Sequence, residues 1–166
     1  MVDRRQTLDD DALMRRVIEL SLIGVRAGHG GPFGCVVVSN GRIVAEAHNE
    51  VASSCDPTAH AEILAIRRAS ALLRRFDLLD CELYTNGAPC CMCTAAMLWS
   101  RLRRCHYILP LEASAAIGLG DGPFYDELGR PFGERAIMPM HEHPALAGEA
   151  RAVYSEWHDM PGRMTF

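Results

Sequence analysis

The sequence lacks the long apolar runs and low-complexity segments that mark membrane-spanning and disordered proteins. No stretch reaches the ~18 uninterrupted apolar residues that a membrane-spanning helix needs, and residues 1–5 show no apolar signal-peptide core. Hydrophobic residues make up 49% of the chain and charged residues 23%, which is typical of a globular protein. From these features we expect a single domain over residues 1–166 that is located in the cytoplasm.

An excess of positive charge and a disulfide framework are also missing. The formal net charge of −4 gives the chain no overall attraction for a phosphate backbone, so nucleic acid is not expected as a partner. A membrane is not expected either, because no apolar run is long enough to span one. The seven cysteines are odd in number, and the chain is too long to depend on disulfides for its core. Reduced thiols are therefore expected.

The first part of the sequence predicts a helix and a β-hairpin. Three consecutive aspartates precede apolar residues at helical spacing, which predicts a helix over residues 9–27. Residues 33–38 and 42–48 form two runs separated by an Asn-Gly pair, the strongest short hairpin signal. The apolar stripe of the helix consists of Leu13, Val17, Leu20 and Gly24.

A second helix is predicted to begin at Asp56 and Pro57, which would supply its N-cap and its first residue. His60 and Glu62 would then lie in its opening turns. The apolar residues at helical spacing are Ile63, Ile66, Ala69 and Leu73.

The remaining segments predict strands that alternate with helices. A hairpin followed by such an alternation predicts an α/β fold, in which a single mixed sheet carries helices on both faces. In chain order we expect a strand over residues 82–85, a turn at Asn86 and Gly87, a helix from Pro89 to about Arg101, a strand over 104–109, a loop-rich segment over 118–133, and a last helix with the stripe Leu146, Ala150, Val153 and Trp157.

Four residues in the two predicted helix starts have the character of a catalytic metal site. Imidazole and two thiolates, from His60, Cys90 and Cys93, are zinc ligands, and a three-ligand site leaves a fourth position for water. The cysteines stand three apart, so they share a helix face at the positive end of the helix dipole. Glu62 is expected beside the metal, where it would donate and accept protons. We predict one Zn²⁺ per chain.

This pattern, H-x-E followed by P-C-x-x-C, is the known signature of zinc-dependent nucleobase deaminases. A different interpretation is a closed structural zinc site completed by Cys55, Cys81 or Cys91. The chain would then be a non-catalytic, zinc-stabilised interaction module in which Glu62 is dispensable. The remaining histidines have no such partners in sequence and are expected at the surface or in packing positions: His29, His48, His106, His141, His143 and His158.

Further stretches accompany the motif in order and almost without gaps over residues 12–140: Gly31-Pro32-Phe33-Gly34, Asn49-Glu50-Val51, Leu83-Tyr84-Thr85, Ala96-Met97-Leu98-Trp99 and residues 118–131. Together they resemble the cytidine deaminase superfamily, in particular its bacterial guanine deaminase branch. The resemblance implies a three-layer α/β/α fold with a mixed central sheet and hydrolysis of guanine to xanthine and ammonia. It also implies a homodimer that exchanges C-terminal segments.

The resemblance further implies the substrate contacts. Asn49 would contact the purine carbonyl, Phe33 and Trp99 would form aromatic walls, and Asp121 would hold the ring or the leaving amine. Phe166 would close the site, although the family commonly ends in tyrosine. Structural explanations stay open, because Asn and Asp favour turns and aromatic residues bury area with or without a ligand.

Three positions depart from the family pattern. Ala88 precedes Pro-Cys where glutamate is usual, Gly120 stands where a second acidic residue often precedes Asp121, and Phe166 lacks a hydroxyl. These departures leave open a different amino-heterocycle, such as cytosine, a nucleoside or an aminotriazine. Editing of adenosine in tRNA shares the motif, but the acidic charge balance disfavours it.

Overall fold

The computed structural model of the chain describes residues 9–165. It divides into two compact units, Met1–Asp121 and Gly122–Phe166. The predictions for residues 1–5 and for Phe166 lie outside the described residues, and the single domain expected over residues 1–166 stays a prediction. Within the described range, none of the helices has both the length and the apolar character to cross a membrane.

The first unit is built on a four-stranded mixed sheet in the order β2-β1-β3-β4. β1 pairs antiparallel with both β2 and β3, whereas β3 pairs parallel with β4. The predicted hairpin and the mixed sheet are therefore confirmed. The strands are β1 (Gly34–Ser39), β2 (Arg42–His48), β3 (Cys81–Gly87) and β4 (Arg104–Leu109).

Helices pack on both faces of this sheet. Successive strand residues point to opposite faces, so β1 divides its apolar side chains between two cores: Val36 and Val38 face α1, whereas Cys35 and Val37 lie in the core with α3 and α4. This arrangement confirms the three-layer α/β/α fold. The helices of the first unit are α1 (Asp10–Arg26), α2 (Val51–Ser54), α3 (Ala61–Leu73), α4 (Cys91–Trp99) and α5 (Leu111–Ala116).

The predicted stripe of α1 is its buried face. Asp9 caps the helix, with its side chain accepting a hydrogen bond from the N–H of Ala12 at 2.7 Å. A Cβ at Gly24 would lie 2.8 Å from the ring of His48, so only glycine lets the end of β2 approach the helix this closely. The buried residues of α1 include Leu13, Val17, Leu20 and Gly24.

The predicted start of α3 at Pro57 is wrong. The Asp56 carboxylate accepts hydrogen bonds from the N–H and the hydroxyl of Thr58, at 2.8 and 2.7 Å, and so closes a local turn in place of a helix cap. The helix begins at Ala61, and His60 is its N-cap residue in extended conformation. Glu62 still lies in the first turn, as expected.

Two further boundaries differ from the predictions. Asn86 and Gly87 are the last residues of β3 and not a turn. The Asn86 amide binds Pro32 and Gly34, before and at the start of β1, and Gly87 pairs with Leu109 of β4. α4 begins at Cys91, with Cys90 as its N-cap residue.

The second unit contains two α-helices, α6 (Gly122–Leu128) and α7 (Ala147–Asp159), and two short 3₁₀ turns. The prediction of a loop-rich segment over residues 118–133 is therefore partly wrong. Pro123 lies in the first turn of α6, where a helix tolerates proline. The last helix is confirmed. Among the described residues of this unit only Glu127 is buried, and its carboxylate accepts the N–H of Ile137 at 2.7 Å.

Candidate active site

The three predicted ligands meet where the starts of α3 and α4 come together. His60 and Cys90 are the N-cap residues of these helices, and Cys93 lies in the first turn of α4. The Nδ1 atom of His60 is 3.6 Å from the Cys90 sulfur and 3.5 Å from the Cys93 sulfur. The Cys90 sulfur also accepts a hydrogen bond from the N–H of Cys93 at 3.5 Å.

These separations fit a zinc ion. A Zn–S bond of about 2.3 Å and a Zn–N bond of about 2.0 Å at the tetrahedral angle place nitrogen and sulfur about 3.5 Å apart. The three ligand atoms lie within 4.8 Å of one another, and within residues 9–165 no fourth histidine, cysteine or acidic side chain joins them. The cysteines proposed to close the site lie elsewhere: Cys55 is exposed, Cys81 is in the core, and Cys91 is half-buried outside the cluster.

The surroundings of the Cys90 sulfur favour negative charge, whereas the hydrogen bond with Cys90 raises the pKa of Cys93. A hydrogen bond to the Cys93 side chain, together with one to His60, lowers the pKa of Cys90 to about 4. The contact with Cys90 in turn raises the pKa of His60 above its ordinary value, and the Asp121 carboxylate contributes to that rise. One sulfur of the pair is therefore a thiolate at neutral pH, which is the form that binds metal.

Glu62 lies beside the ligands and is only 4% exposed. Burial raises the pKa of this carboxyl group, while the neighbouring His60 opposes the rise. A buried carboxyl group with a raised pKa is suited to accept and return a proton near neutral pH.

Asn49 follows β2 and is 4% exposed. Its side-chain oxygen Oδ1 accepts hydrogen bonds from the N–H groups of Gly31 and Val51, at 3.1 and 3.2 Å. These two donors fix the amide, so its nitrogen Nδ2 faces away from them as a hydrogen-bond donor. Glu50, the residue after Asn49, donates its N–H to the carbonyl of Ala59 at 3.0 Å. This hydrogen bond brings Asn49 close to the segment that contains His60.

Asp121 ends the first unit with a buried acceptor. Its Oδ2 atom has no hydrogen-bond partner within the described part of the chain. Since the carboxylate also influences the pKa values of His60 and Cys91, it lies near the ligand cluster. A buried carboxylate oxygen without a donor is costly unless a ligand supplies one.

Phe33 and Trp99, the two residues predicted to form aromatic walls, differ in where they lie relative to the ligand cluster. Phe33 is half-buried and, like Cys90, packs against the core that contains Cys93. Trp99 is the last residue of α4, about 12 Å along the helix axis from Cys91, at about 1.5 Å per residue. The structure therefore does not bring Trp99 to the ligand end of its helix.

The other histidines form no metal cluster within residues 9–165. His29 Nδ1 and His48 Nε2 are 2.8 Å apart, and His106 stacks on Tyr84 and contacts the Glu82 carboxylate at 2.9 Å. His141, His143 and His158 are exposed.

Comparison with known proteins agrees with this geometry. The profile of the cytidine and deoxycytidylate deaminase zinc-binding region matches residues 7–109. The chain is 42% identical to guanine deaminase of Bacillus subtilis over 130 residues, which cover 78% of this chain and 83% of that protein. It is 45% identical to a tRNA-specific adenosine deaminase of Aquifex aeolicus over 73 residues, 44% of this chain and 48% of the relative.

Solved structures show the same similarity. The X-ray structure of the Bacillus subtilis guanine deaminase superposes with a TM-score of 0.87 at 35% identity, covering 96% of this chain and 99% of that chain. Guanine deaminase from Nitrosomonas europaea superposes with a TM-score of 0.67 at 35% identity, covering 71% of this chain and 69% of the other.

Proposed function

The chain belongs to the family of the cytidine and deoxycytidylate deaminase zinc-binding region, and we propose that it hydrolyses guanine to xanthine and ammonia. Its place in metabolism would be the breakdown of free purine bases. The observation that carries the choice of substrate is the pairing of a fixed amide donor, Asn49, with an orphaned buried acceptor, Asp121, near the ligand cluster.

His60, Cys90 and Cys93 would hold one zinc ion per chain. When bound, zinc supplies a Lewis acid that lowers the pKa of water from roughly 15.7 to about 7. A carboxylate of Glu62 accepts the proton of the attacking water as its oxygen bonds to the amine-bearing ring carbon. The same carboxyl group passes that proton to the ring nitrogen, then takes the remaining proton from the hydroxyl now bound to the ring carbon and delivers it to the amine. The C–N bond breaks to release ammonia as the carbonyl forms.

Hydrogen-bond polarity favours an oxo-purine over adenine. The Asn49 amide can only donate to a ligand through Nδ2, because its oxygen is occupied by two backbone N–H groups. Guanine presents a carbonyl to such a donor and an amine or ring N–H to the Asp121 carboxylate. Phe33 would stack on the ring. Trp99 and Phe166 would contact the substrate only if other chain segments bring them to the site.

We propose that the protein is a homodimer that exchanges its C-terminal segments, residues 122–166. Large apolar side chains of this segment are exposed, with Phe132 at 66% and Tyr154 at 76%. Large apolar side chains that are exposed to this degree indicate an interaction surface. The edge strand β4 of the first unit also exposes Tyr107 and Leu109. Light scattering at micromolar concentration should give a dimer mass, and a monomer mass would reject the proposal.

We also propose a cytoplasmic location, because none of the seven cysteines is in a disulfide, which is the state that a reducing compartment maintains.

The function is tested by ammonia release from the zinc-loaded protein with guanine, guanosine, adenine, cytosine, cytidine, ammeline and a tRNA that carries the adenosine substrate. We expect the highest kcat/KM for guanine. A higher value for another compound would replace guanine as the substrate, and release from none of them would leave the interaction module as the explanation.

Metal-ligand and proton-transfer roles are separated by three variants. Glu62→Gln should keep one zinc per chain and lose turnover by about 10²- to 10⁴-fold, the usual contribution of a general acid-base group. Cys90→Ser should lose zinc, whereas the matched variant Cys91→Ser should retain it. Turnover by Glu62→Gln at the wild-type rate would remove the proposed role of this carboxylate.

A further inference from the structure

The side-chain amide of Asn86 holds the backbone on both sides of Phe33. Its Oδ1 accepts a hydrogen bond from the N–H of Gly34 at 2.9 Å, and its Nδ2 donates to the carbonyl of Pro32 at 2.8 Å. These groups belong to the two peptide bonds that flank Phe33. The Asn86 amide therefore uses both its acceptor and its donor on the two peptide bonds that flank Phe33.

Other contacts complete this anchoring. The N–H of Phe33 donates to the carbonyl of Gly31 at 2.8 Å, and its carbonyl accepts from the N–H of Asn49 at 2.9 Å. The buried hydroxyl of Thr85 donates to the carbonyl of Gly34 at 3.1 Å. The end of β3 thus binds both polar groups of the residue after Phe33.

Two glycines hold opposite edges of the Phe33 ring. A Cβ at Gly87 would lie 3.0 Å from Cε1, and a Cβ at Gly31 would lie 3.1 Å from Cδ2 and from Cε2. The ring is thus confined edge-on between two stretches of backbone. A small shift of the Phe33 backbone would press the ring against one of them or withdraw it from both.

We propose that Asn86 is a positioning residue that sets the Phe33 ring at the distance needed to stack on the heterocycle. This inference rests on the proposed function, in which Phe33 is an aromatic wall. Without the amide, two peptide groups lose their partners and the ring no longer keeps one position. Because stacking stabilises bound substrate and transition state alike, its loss raises KM and leaves kcat unchanged.

The test compares Asn86→Ala and Asn86→Asp with wild type by steady-state kinetics on guanine. Aspartate keeps the acceptor for Gly34 but turns an oxygen toward the Pro32 carbonyl. We expect both variants to raise KM about tenfold, with kcat within about twofold and zinc content unchanged. Asn40→Asp, in the exposed β1–β2 turn, makes the same charge change and should leave both constants unaltered.

A double-mutant cycle shows whether Asn86 acts through Phe33. In the Phe33→Ala background, Asn86→Ala should change KM by less than about twofold, since the ring it positions is gone. An undiminished effect in that background, or a wild-type KM in both single variants, would overturn the proposal. Failure of the proposed function would look different, because the wild-type protein itself would release no ammonia from guanine.

Discussion

Replacing Asn49 separates its contribution to folding from its proposed contribution to recognition. Its oxygen accepts two backbone N–H groups at 3.1 and 3.2 Å, and the side chain is 4% exposed. Asn49→Ala leaves both donors unpaired. At about 1–2 kcal/mol for each long hydrogen bond, the free energy of unfolding should fall by roughly 2–4 kcal/mol.

Asn49→Asp keeps both acceptor contacts but adds a buried carboxylate oxygen without a donor, so its unfolding free energy should fall by about 1–3 kcal/mol. It replaces the Nδ2 donor by an oxygen, and the purine carbonyl then faces an acceptor. Since a hydrogen bond worth about 2.7 kcal/mol corresponds to a factor of 100, we expect kcat/KM for guanine to fall at least about 100-fold.

The assay combines urea unfolding followed by circular dichroism with ammonia release, and uses Asn40→Asp as the charge control. The argument for recognition is refuted if Asn49→Asp keeps the wild-type kcat/KM. The argument for folding is refuted if Asn49→Ala unfolds at the wild-type urea concentration.

Three further predictions follow from other parts of the chain. Asp121→Asn should lower kcat/KM at least about tenfold at unchanged zinc content, because it removes a charged acceptor for the substrate amine; equal kinetics would contradict its role. Burial lowers the pKa of His48 below 6.5, so folding favours the neutral ring and the free energy of unfolding falls as pH drops below 6.5 toward the folded-state pKa. His48→Gln should reduce this loss between pH 7.5 and 5.5 in urea titrations, and an identical pH dependence would reject the assignment. Deleting Thr165 and Phe166 should impair turnover with folding intact, whereas unchanged kinetics would show that the C-terminal residue closes no site.

Local signals predicted much of the first unit correctly. The stripe of α1 and the Asn-Gly hairpin were recognisable because helix and strand periodicity reflect which face is buried. The start of α3 was not, since Asp56 has the same preference for capping a helix as for closing the turn it makes with Thr58.

The misassigned Asn86 shows a different limit. Asn-Gly pairs favour turns, yet this amide binds backbone groups 52 and 54 residues away, which hold it at the end of a strand. No periodicity in the neighbouring sequence reports such a distant contact. Trp99 differs, because the helix predicted from Pro89 to about Arg101 already places it near the end opposite Cys90 and Cys93.

By itself the sequence predicted the residues of the proposed metal site, because His60, Glu62, Cys90 and Cys93 lie in two short segments whose own helix starts bring them together. The tertiary structure alone decided how the surrounding polar groups are used. Asn49 and Asn86 bind backbone groups of the loop before β1, at Gly31 and Pro32, and Asp121 keeps a buried oxygen without a donor among the described residues. These contacts form between segments that are distant in sequence and meet at one end of the sheet, so they exist only once the chain has folded.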